Sequence, residues 1–167
     1  MVHRNHPSLS AGLVAALSGL FLSGAMMNIS ILDVPVLLKS TENSLQLINH
    51  WSQLYEVGSS LYPTVAITIG LLYGLAAAAR LVSSPIQNRV MFVLAGTLTL
   101  AMAPFTWVFM SPTNNALFRI AELGQTGVIT PAEDVRALLV KWRWLHFVRS
   151  LFPLVGAMLG FREAKLQ

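Results

Sequence analysis

Four long apolar stretches dominate this sequence and restrict what the chain can fold into. They cover about residues 9–32, 57–79, 90–110 and 144–161. A helix rises ~1.5 Å per residue, so about 20 residues cross the ~30 Å hydrocarbon core of a bilayer. The stretches match that length, and the fourth is the shortest. We therefore predict an all-α fold, a single four-helix transmembrane bundle over residues 1–167.

Composition agrees with a membrane protein and excludes several other classes. Only 11% of the residues are charged and the mean hydropathy is +0.62, whereas a soluble domain carries about 25% charge. The basic residues are scattered along the chain, so no nucleic-acid-binding patch is predicted. The absence of cysteine excludes disulfides and thiolate metal sites.

The first apolar stretch has an alternative interpretation as a cleavable secretory signal, because Arg4 precedes it and Ser23-Gly24-Ala25 is similar to a cleavage site. Two features favour a permanent helix. The stretch is longer than the apolar region of a normal signal. It also carries small residues at helical spacing, which allow another helix to approach closely: Gly12, Ala16, Gly19 and Ser23.

Two helices are predicted to extend beyond the bilayer. Thr130-Pro131-Ala132-Glu133 is typical of a helix start, which lengthens the fourth helix toward the N-terminus. The second helix starts at about Asn43 in the same way. The third span is expected to end at Ser111-Pro112, and residues 113–123 to form a short extramembrane helix between the third and fourth spans.

The short loop between Arg80 and Arg89 is the best indicator of orientation, since basic residues in short loops mark the cytosolic side. With these two included, the basic residues outside the spans are equally divided between the two sides. We expect both termini to be cytosolic.

Most reactive side chains fall at one end of the predicted bundle. In a four-pass chain, the ends of helices one and three and the starts of helices two and four share one side of the membrane. Those regions carry both non-terminal histidines and all four tryptophans. The candidate site residues there are Asn28, Asp33, His50, Trp51, Tyr55, Glu56, Asn114, Asn115, Trp142, Trp144, His146 and Arg149.

Helical spacing brings some of these residues onto common faces. One face of the second helix carries Trp51, Tyr55, Gly58 and Tyr62. One face of the fourth helix carries Trp142, His146 and Arg149. If the two faces meet, they enclose a flat aromatic cavity with an imidazole and a guanidinium at one wall.

Arg149 gives the strongest functional signal, because a charge about five residues inside an apolar helix costs ~2.5 kcal/mol or more. Such a group needs a partner or an anionic ligand, and His146 lies one turn away. Structural interpretations stand beside the functional one. Arg149 can extend to the interface, tryptophans near helix ends form the common interfacial belt, and Asp33 and Glu56 suit solvated anchors.

A metal site is a further alternative. His50, Glu56 and His146 match the two-histidine, one-carboxylate set of non-haem iron. No local ligand motif such as HExxH supports that set. No P-loop, Rossmann glycine pattern or GxSxG elbow occurs either, which excludes nucleotide-binding and serine-hydrolase functions of those types.

Motifs at these helix ends are similar to those of a known family. They are residues 28–35, Trp51-Ser-Gln-Leu-Tyr55-Glu-Val-Gly58 with Pro63, Pro104-Phe-Thr106 before Asn114-Asn115, and Lys141-Trp142-Arg-Trp144-Leu-His146-Phe-Val-Arg149-Ser. Over most of its length the chain resembles the fungal anthrone oxygenases, small membrane proteins. The resemblance implies oxidation of a polyketide anthrone to an anthraquinone by dioxygen, without flavin, haem or added metal, in the endoplasmic reticulum or another endomembrane.

The chemistry of that reaction suggests roles for the candidate residues. His146 is the expected base, with His50 as the alternative, and Arg149 would stabilise the developing oxyanion. Supporting roles fall to three groups: ring stacking by Trp51, Tyr55, Trp142 and Trp144, hydrogen bonding to substrate oxygens by Asn28, Asn114 and Asn115, and orientation of a histidine by Asp33 or Glu56.

A non-enzymatic function also fits the sequence. A lipid-binding or scaffolding module would use the same aromatic residues as anchors, and Arg149 would bind a headgroup. Transport is disfavoured, because the chain has no internal inverted repeat and one deep charge. Small-residue stripes on the first and fourth helices leave packing faces that suit a homo-oligomer.

Overall fold

The computed structural model describes the backbone of residues 7–80 and 86–165 and the side chains of residues 11–80 and 89–164. Those ranges are helical almost throughout and contain no strand. Four helical runs are long and apolar enough to cross a membrane: Ala11–Ser40, Ser44–Ala78, Arg89–Gln125 and Ala132–Ala164. The predicted all-α fold with four membrane-length helices is confirmed. Arg4 and the centre of the loop between Arg80 and Arg89 lie outside the described residues.

The first run is longer than the predicted 9–32. Helix α1 (Pro7–Asn28) passes into a π-helical segment, Ile29–Asp33, and then into α2 (Val34–Ser40). Pro35 occupies the first turn of α2, where the missing proline N–H is tolerated. Pro35 therefore does not end the helical run, because the wide π-helical turn comes just before it.

The third run repeats this arrangement. Helices α4 (Ile86–Leu100) and α5 (Met102–Phe105) lead into a second π-helical segment, Thr106–Met110, which continues as α6 (Ser111–Gln125). Here the structure differs from the sequence prediction. The span does not end at Ser111-Pro112, and residues 113–123 are not a separate helix, because Pro112 sits in the first turn of α6 after the wide turn.

The second and fourth runs are single long helices, α3 (Ser44–Ala78, 35 residues) and α7 (Ala132–Lys165, 34 residues). Each is on the order of 50 Å long, more than a hydrocarbon core requires. Asn43 caps α3, since its Oδ1 accepts the backbone N–H groups of Leu45 and Gln46 at 2.9 and 3.2 Å.

The chain divides into two compact units. The first comprises the described parts of Met1–Gly24, Pro63–Met102 and Ser150–Gln167. Small residues allow its helices to approach closely, as the stripe on the first helix predicted. A Cβ atom on Gly12 would lie 2.7 Å from the Phe92 ring, and one on Gly156 would lie 2.6 Å from the Ala95 carbonyl oxygen.

A buried ion pair also stabilises the first unit. Arg80 Nη1 lies 3.1 Å from Glu163 Oε1, and the guanidinium carbon is 4.6 Å from the centre of the Phe92 ring. Both charged side chains are almost fully buried. The ring contact adds a cation–π attraction to the ion pair.

The second unit comprises Ala25–Tyr62 and Ala103–Arg149 and contains all twelve candidate site residues. Arg136 ties α7 to the end of α2 there. Its guanidinium donates to the carbonyl oxygens of Leu38 and Thr41, the latter at 2.6 Å. These are carbonyls that the helix end leaves without a partner, so the contact fixes where α2 stops.

Candidate active site

His146 is the centre of the candidate site. It lies on α7, four residues after Trp142, so the two rings share one face of the helix. Their centroids are 4.7 Å apart with an interplanar angle of 25°, a stacked pair. The Tyr62 ring meets the imidazole edge-on, with a centroid distance of 6.3 Å. With only 1% of its surface exposed, His146 is enclosed by aromatic and helical neighbours.

Both ring nitrogens of His146 have partners, and these partners define its protonation. Arg149 Nη2 lies 3.1 Å from Nε2, and Ser30 Oγ lies 3.1 Å from Nδ1. A guanidinium can only donate hydrogen bonds, so Nε2 must be an acceptor with a free electron pair. The neutral ring then carries its proton on Nδ1, which donates to Ser30. A further hydrogen bond links the ring to the Met26 backbone.

Arg149 is a cation that lacks an anionic partner. Its Nη1 donates to Thr106 Oγ1 at 3.2 Å, and its Nε is buried without a hydrogen-bond partner. No carboxylate among residues 11–80 and 89–164 forms an ion pair with it. An unneutralised cation in these surroundings suits a ligand that is negatively charged or becomes so.

An aromatic cluster adjoins this pair. Trp51 is fully buried, and its ring lies 5.3 Å from Tyr55, 5.0 Å from Phe118 and 6.1 Å from Trp142. Tyr55 and Phe118 meet edge-to-face at 4.8 Å. Contacts thus run from Phe118 through Trp51 and Trp142 to His146, which gives the predicted aromatic surface next to the imidazole.

Several buried polar atoms near Trp142 remain without partners. Trp142 itself donates from Nε1 to Asn114 Oδ1 at 3.0 Å. By contrast, Trp51 Nε1 and Thr113 Oγ1 are buried and make no hydrogen bond. An unpaired buried group costs about 1–3 kcal/mol. These two atoms, like Arg149 Nε, are therefore positions at which a ligand oxygen would be stabilised.

Several predicted residues lie away from His146. His50 is exposed and lines a separate cavity of about 400 Å³ with Ser40, Thr41, Gln46, Asn49 and Gln53. Glu56, Asn115 and Trp144 are also exposed. Asn28 is exposed, and its Nδ2 donates to both carboxylate oxygens of Asp33 at 3.2 Å. Asp33 therefore pairs with Asn28 and not with a histidine.

The alternative metal site is not assembled. Within the described side chains, no three of the residues His, Asp and Glu come close enough together to hold a metal ion. His50, Glu56 and His146 therefore do not form a ligand set. His146 instead has a guanidinium and a hydroxyl as partners.

Ser30 and Thr106 are site residues that α-helical spacing did not predict. Each lies in a π-helical segment, where α-helical spacing no longer predicts the direction of a side chain. A signal was present in the sequence, because Pro35 and Pro112 follow shortly after them. Tyr62 and Phe118 complete the aromatic surroundings, and Tyr62 already belonged to the predicted stripe.

Comparisons with known proteins identify the family of this chain. The profile of the family "Anthrone oxygenase" matches residues 51–159. The anthrone oxygenase AgnL2 of Paecilomyces divaricatus is 45% identical over 157 residues, covering 90% of this chain and 93% of that protein. The anthrone oxygenase tpcL of Aspergillus fumigatus is 42% identical, covering 89% of each chain.

A relative with a different name matches as well. The noranthrone monooxygenase of Aspergillus flavus is 42% identical, covering 88% of this chain and 70% of its own. No solved structure matches the chain. The matched region contains Trp51, Trp142, His146 and Arg149. By the family profile and by the extent of these identities, the chain belongs to the anthrone oxygenase family.

Proposed function

We propose that this chain is a membrane-embedded enzyme that oxidises a polyketide anthrone to an anthraquinone with dioxygen. Family membership and the names of the relatives support the activity. The observation that carries the proposal is the buried pair of a neutral imidazole and an unneutralised guanidinium beside an aromatic cluster. A flat aromatic substrate that becomes an anion during the reaction fits those groups.

The first step is removal of a proton from the ring methylene. An anthrone methylene is acidic, because its carbanion delocalises into an aromatic phenolate. His146 Nε2 is the base, since it is the unprotonated ring nitrogen and becomes available when Arg149 turns toward the substrate oxygen. A protonated imidazole beside Arg149 is unfavourable unless negative charge appears nearby. The phenolate oxygen supplies that charge and draws the guanidinium from the imidazole, so that the positive charge faces the oxyanion.

The second step is addition of dioxygen to the carbanion. The electron-rich ring gives electrons to dioxygen, a carbon–oxygen bond forms, and the resulting peroxide anion takes up a proton. Loss of the second methylene hydrogen as a proton then cleaves the oxygen–oxygen bond. One oxygen atom remains as the new carbonyl and the other leaves as water. The carbon is oxidised by four electrons, and dioxygen accepts all of them.

These two reaction steps require dioxygen as co-substrate and no cofactor. The substrate anion is itself the reductant, so the protein has to bind the ring, remove the proton and stabilise the oxyanion. Three buried polar atoms without hydrogen-bond partners are proposed to bind the substrate. Trp51 Nε1, Thr113 Oγ1 and Arg149 Nε would meet oxygen substituents of the substrate.

The cellular setting is a further part of the proposal. The four membrane-length helices support residence in a bilayer, where a poorly soluble anthrone also partitions. We infer the endoplasmic reticulum or another endomembrane, and cytosolic termini. The small-residue faces that suggested self-association pack within the chain instead, Gly12 against Phe92 and Gly156 against Ala95. Arg80 and Arg89 support the orientation, since basic residues at a short loop favour the cytosolic side.

The decisive experiment uses membranes that express the chain. Emodin anthrone is supplied under air and under argon, and anthraquinone formation is followed by absorbance. The expected result is dioxygen-dependent acceleration over membranes lacking the chain, since anthrones also oxidise unaided. Equal rates with and without the chain would leave a lipid-binding module as the better description.

A further inference from the structure

Two hydroxyl groups converge on the His146–Arg149 pair from two different helical runs. Ser30 Oγ contacts His146 Nδ1 at 3.1 Å, and Thr106 Oγ1 accepts from Arg149 Nη1 at 3.2 Å. Ser30 lies within the first π-helical segment, Ile29–Asp33, and Thr106 begins the second, Thr106–Met110. Each π-helical segment thus contributes one hydroxyl to the same pair.

These segments are unusual local structures. A π-helical turn is rare, occurs mainly as a single turn within an α-helix, and is frequent at functional sites. Neither segment ends its helix, because α2 and α6 continue directly from them. Their common property is the hydroxyl that each directs to the pair, and Ser30 is 98% buried in doing so, with 2% of its surface exposed.

The chemistry of a hydroxyl suits both contacts. A hydroxyl is neutral and can accept a hydrogen bond from Nδ1–H or from a guanidinium. A carboxylate at the position of Thr106 would neutralise Arg149 and leave less positive charge for a substrate oxyanion. A neutral partner holds the guanidinium in place and leaves its charge available. The same argument applies to Ser30, whose neutral hydroxyl accepts from Nδ1–H and orients the ring without adding charge to the site.

We infer that Ser30 and Thr106 are positioning residues: Ser30 orients the His146 ring so that its unprotonated Nε2 faces Arg149, and Thr106 holds Arg149 with its charge unneutralised. The catalytic meaning of this inference rests on the proposed function. The geometry does not, because the tautomer of His146 and the anchoring of Arg149 are properties of the resting protein. Neither residue is required to touch the substrate.

The test on turnover uses a matched set at Thr106. Thr106→Val keeps the shape and removes the hydroxyl, whereas Thr106→Ser keeps the hydroxyl and removes the methyl group. We expect Thr106→Val to lower kcat about 10–100-fold, as loss of a group supporting a catalytic ligand does, with KM changed less than about two-fold. Thr106→Ser should restore most of the loss. Thr68→Val, at an exposed threonine of α3, controls for general effects of the substitution.

The test at Ser30 is spectroscopic and needs no turnover. Histidines labelled with a nitrogen isotope are studied by NMR in detergent, and His146 is assigned among the four histidines by comparison with His146→Gln. The wild-type protein should have a protonated Nδ1 and a bare Nε2. Ser30→Ala should keep the proton on Nδ1, because Arg149 still donates to Nε2, but it should shift the Nδ1 resonance and lower kcat, since the ring loses the Ser30 contact; Ser30→Thr should reverse both effects.

The outcomes separate this inference from the proposed function. A wild-type spectrum with the proton on Nε2, or normal kcat in both Thr106→Val and Ser30→Ala, would overturn the positioning roles while leaving the oxygenase proposal intact. The expected tautomer in a wild-type protein that does not oxidise any anthrone would overturn the oxygenase proposal and support the positioning geometry.

Discussion

Arg149 donates a hydrogen bond from Nη2 to Nε2 of His146 over 3.1 Å, so the cation and the base of the site are direct partners. The nitrogen of His146 that takes the substrate proton is therefore the same nitrogen that accepts the hydrogen bond from Arg149. Proton transfer and release of Arg149 are therefore coupled. The substrate anion favours both, because it attracts the guanidinium and compensates the charge on the imidazole.

The first prediction concerns the base. His146→Gln should lower kcat at least ~100-fold, since general-base catalysis contributes about that much or more. His50→Gln is the matched control and should retain normal activity, because His50 is exposed and away from the pair. Anthraquinone formation in membranes, corrected for the unaided reaction, measures both. Normal turnover by His146→Gln would refute the assignment of the base.

The second prediction concerns the cation. Arg149→Gln should lower kcat on the order of 10²-fold, because it removes a charge aimed at the oxyanion. Arg149→Lys should fall between this variant and wild type, since it keeps the charge but loses the planar fork that contacts Thr106 and His146 together. Steady-state kinetics with emodin anthrone provide the measurement. If Arg149→Gln and wild type have the same kcat, the oxyanion role is wrong.

The third prediction concerns recognition of substrate oxygens. Trp51→Phe and Thr113→Val keep much of the packing but remove polar atoms that are buried and unpartnered. We expect each to raise KM for emodin anthrone up to about ten-fold, the value of one hydrogen bond. KM for unsubstituted anthrone should change less, since it has no hydroxyl groups. Trp107→Phe, at an exposed tryptophan, is the control. Equal effects on both substrates would argue against direct contact.

The fourth prediction concerns metal dependence. Purified active protein should contain far less than one iron, copper or manganese ion per chain, and chelators should leave its turnover unchanged. The reason is that the substrate carbanion reduces dioxygen directly. Elemental analysis beside an activity assay provides the measurement. Stoichiometric metal, with activity lost on chelation and regained on adding that metal, would support a metal-dependent oxygenase.

The fifth prediction concerns stability. Glu163→Gln removes the negative charge that lies 3.1 Å from the buried Arg80 guanidinium. We expect the free energy of unfolding to fall by about 3 kcal/mol, with a clearly lower Tm in detergent. Glu122→Gln changes an exposed glutamate and should leave Tm unchanged. A Tm for Glu163→Gln equal to that of wild type would show that the pair contributes little.

Much of the fold is predictable from hydropathy and residue size. Apolar length alone places four membrane-length helices, and the small residues at helical spacing indicate where helices approach closely. The course of the first and third runs is not predictable in that way. Pro35 and Pro112 normally indicate a helix end, but a preceding π-helical segment allows the helix to continue past each of them.

Part of the site follows from spacing as well. His146 lies four residues after Trp142 and three before Arg149, and all three side chains meet as expected. His50, the alternative base, is exposed, because it directly precedes the fully buried Trp51 and points about 100° away from it.

Trp144 illustrates the same limit. It lies midway between Trp142 and His146 in sequence, so it points to the opposite side of α7, where it is exposed. Membrane topology identifies the helix ends that share one side, but it does not give the rotation of each helix. That rotation is fixed by tertiary packing, and a single residue of offset decides whether a side chain enters the site.

The bond between Asn28 and Asp33 has a consequence for how this stretch tolerates change in length. The two side chains are five residues apart and meet across the first π-helical segment. Deleting one residue between them would replace the wide turn with α-helical geometry, while α2 would keep nearly its present orientation, because a π-helical turn takes up the additional residue locally. Ser30 or its neighbours would then change direction. A single-codon deletion in this stretch should therefore be more harmful than most amino-acid substitutions there.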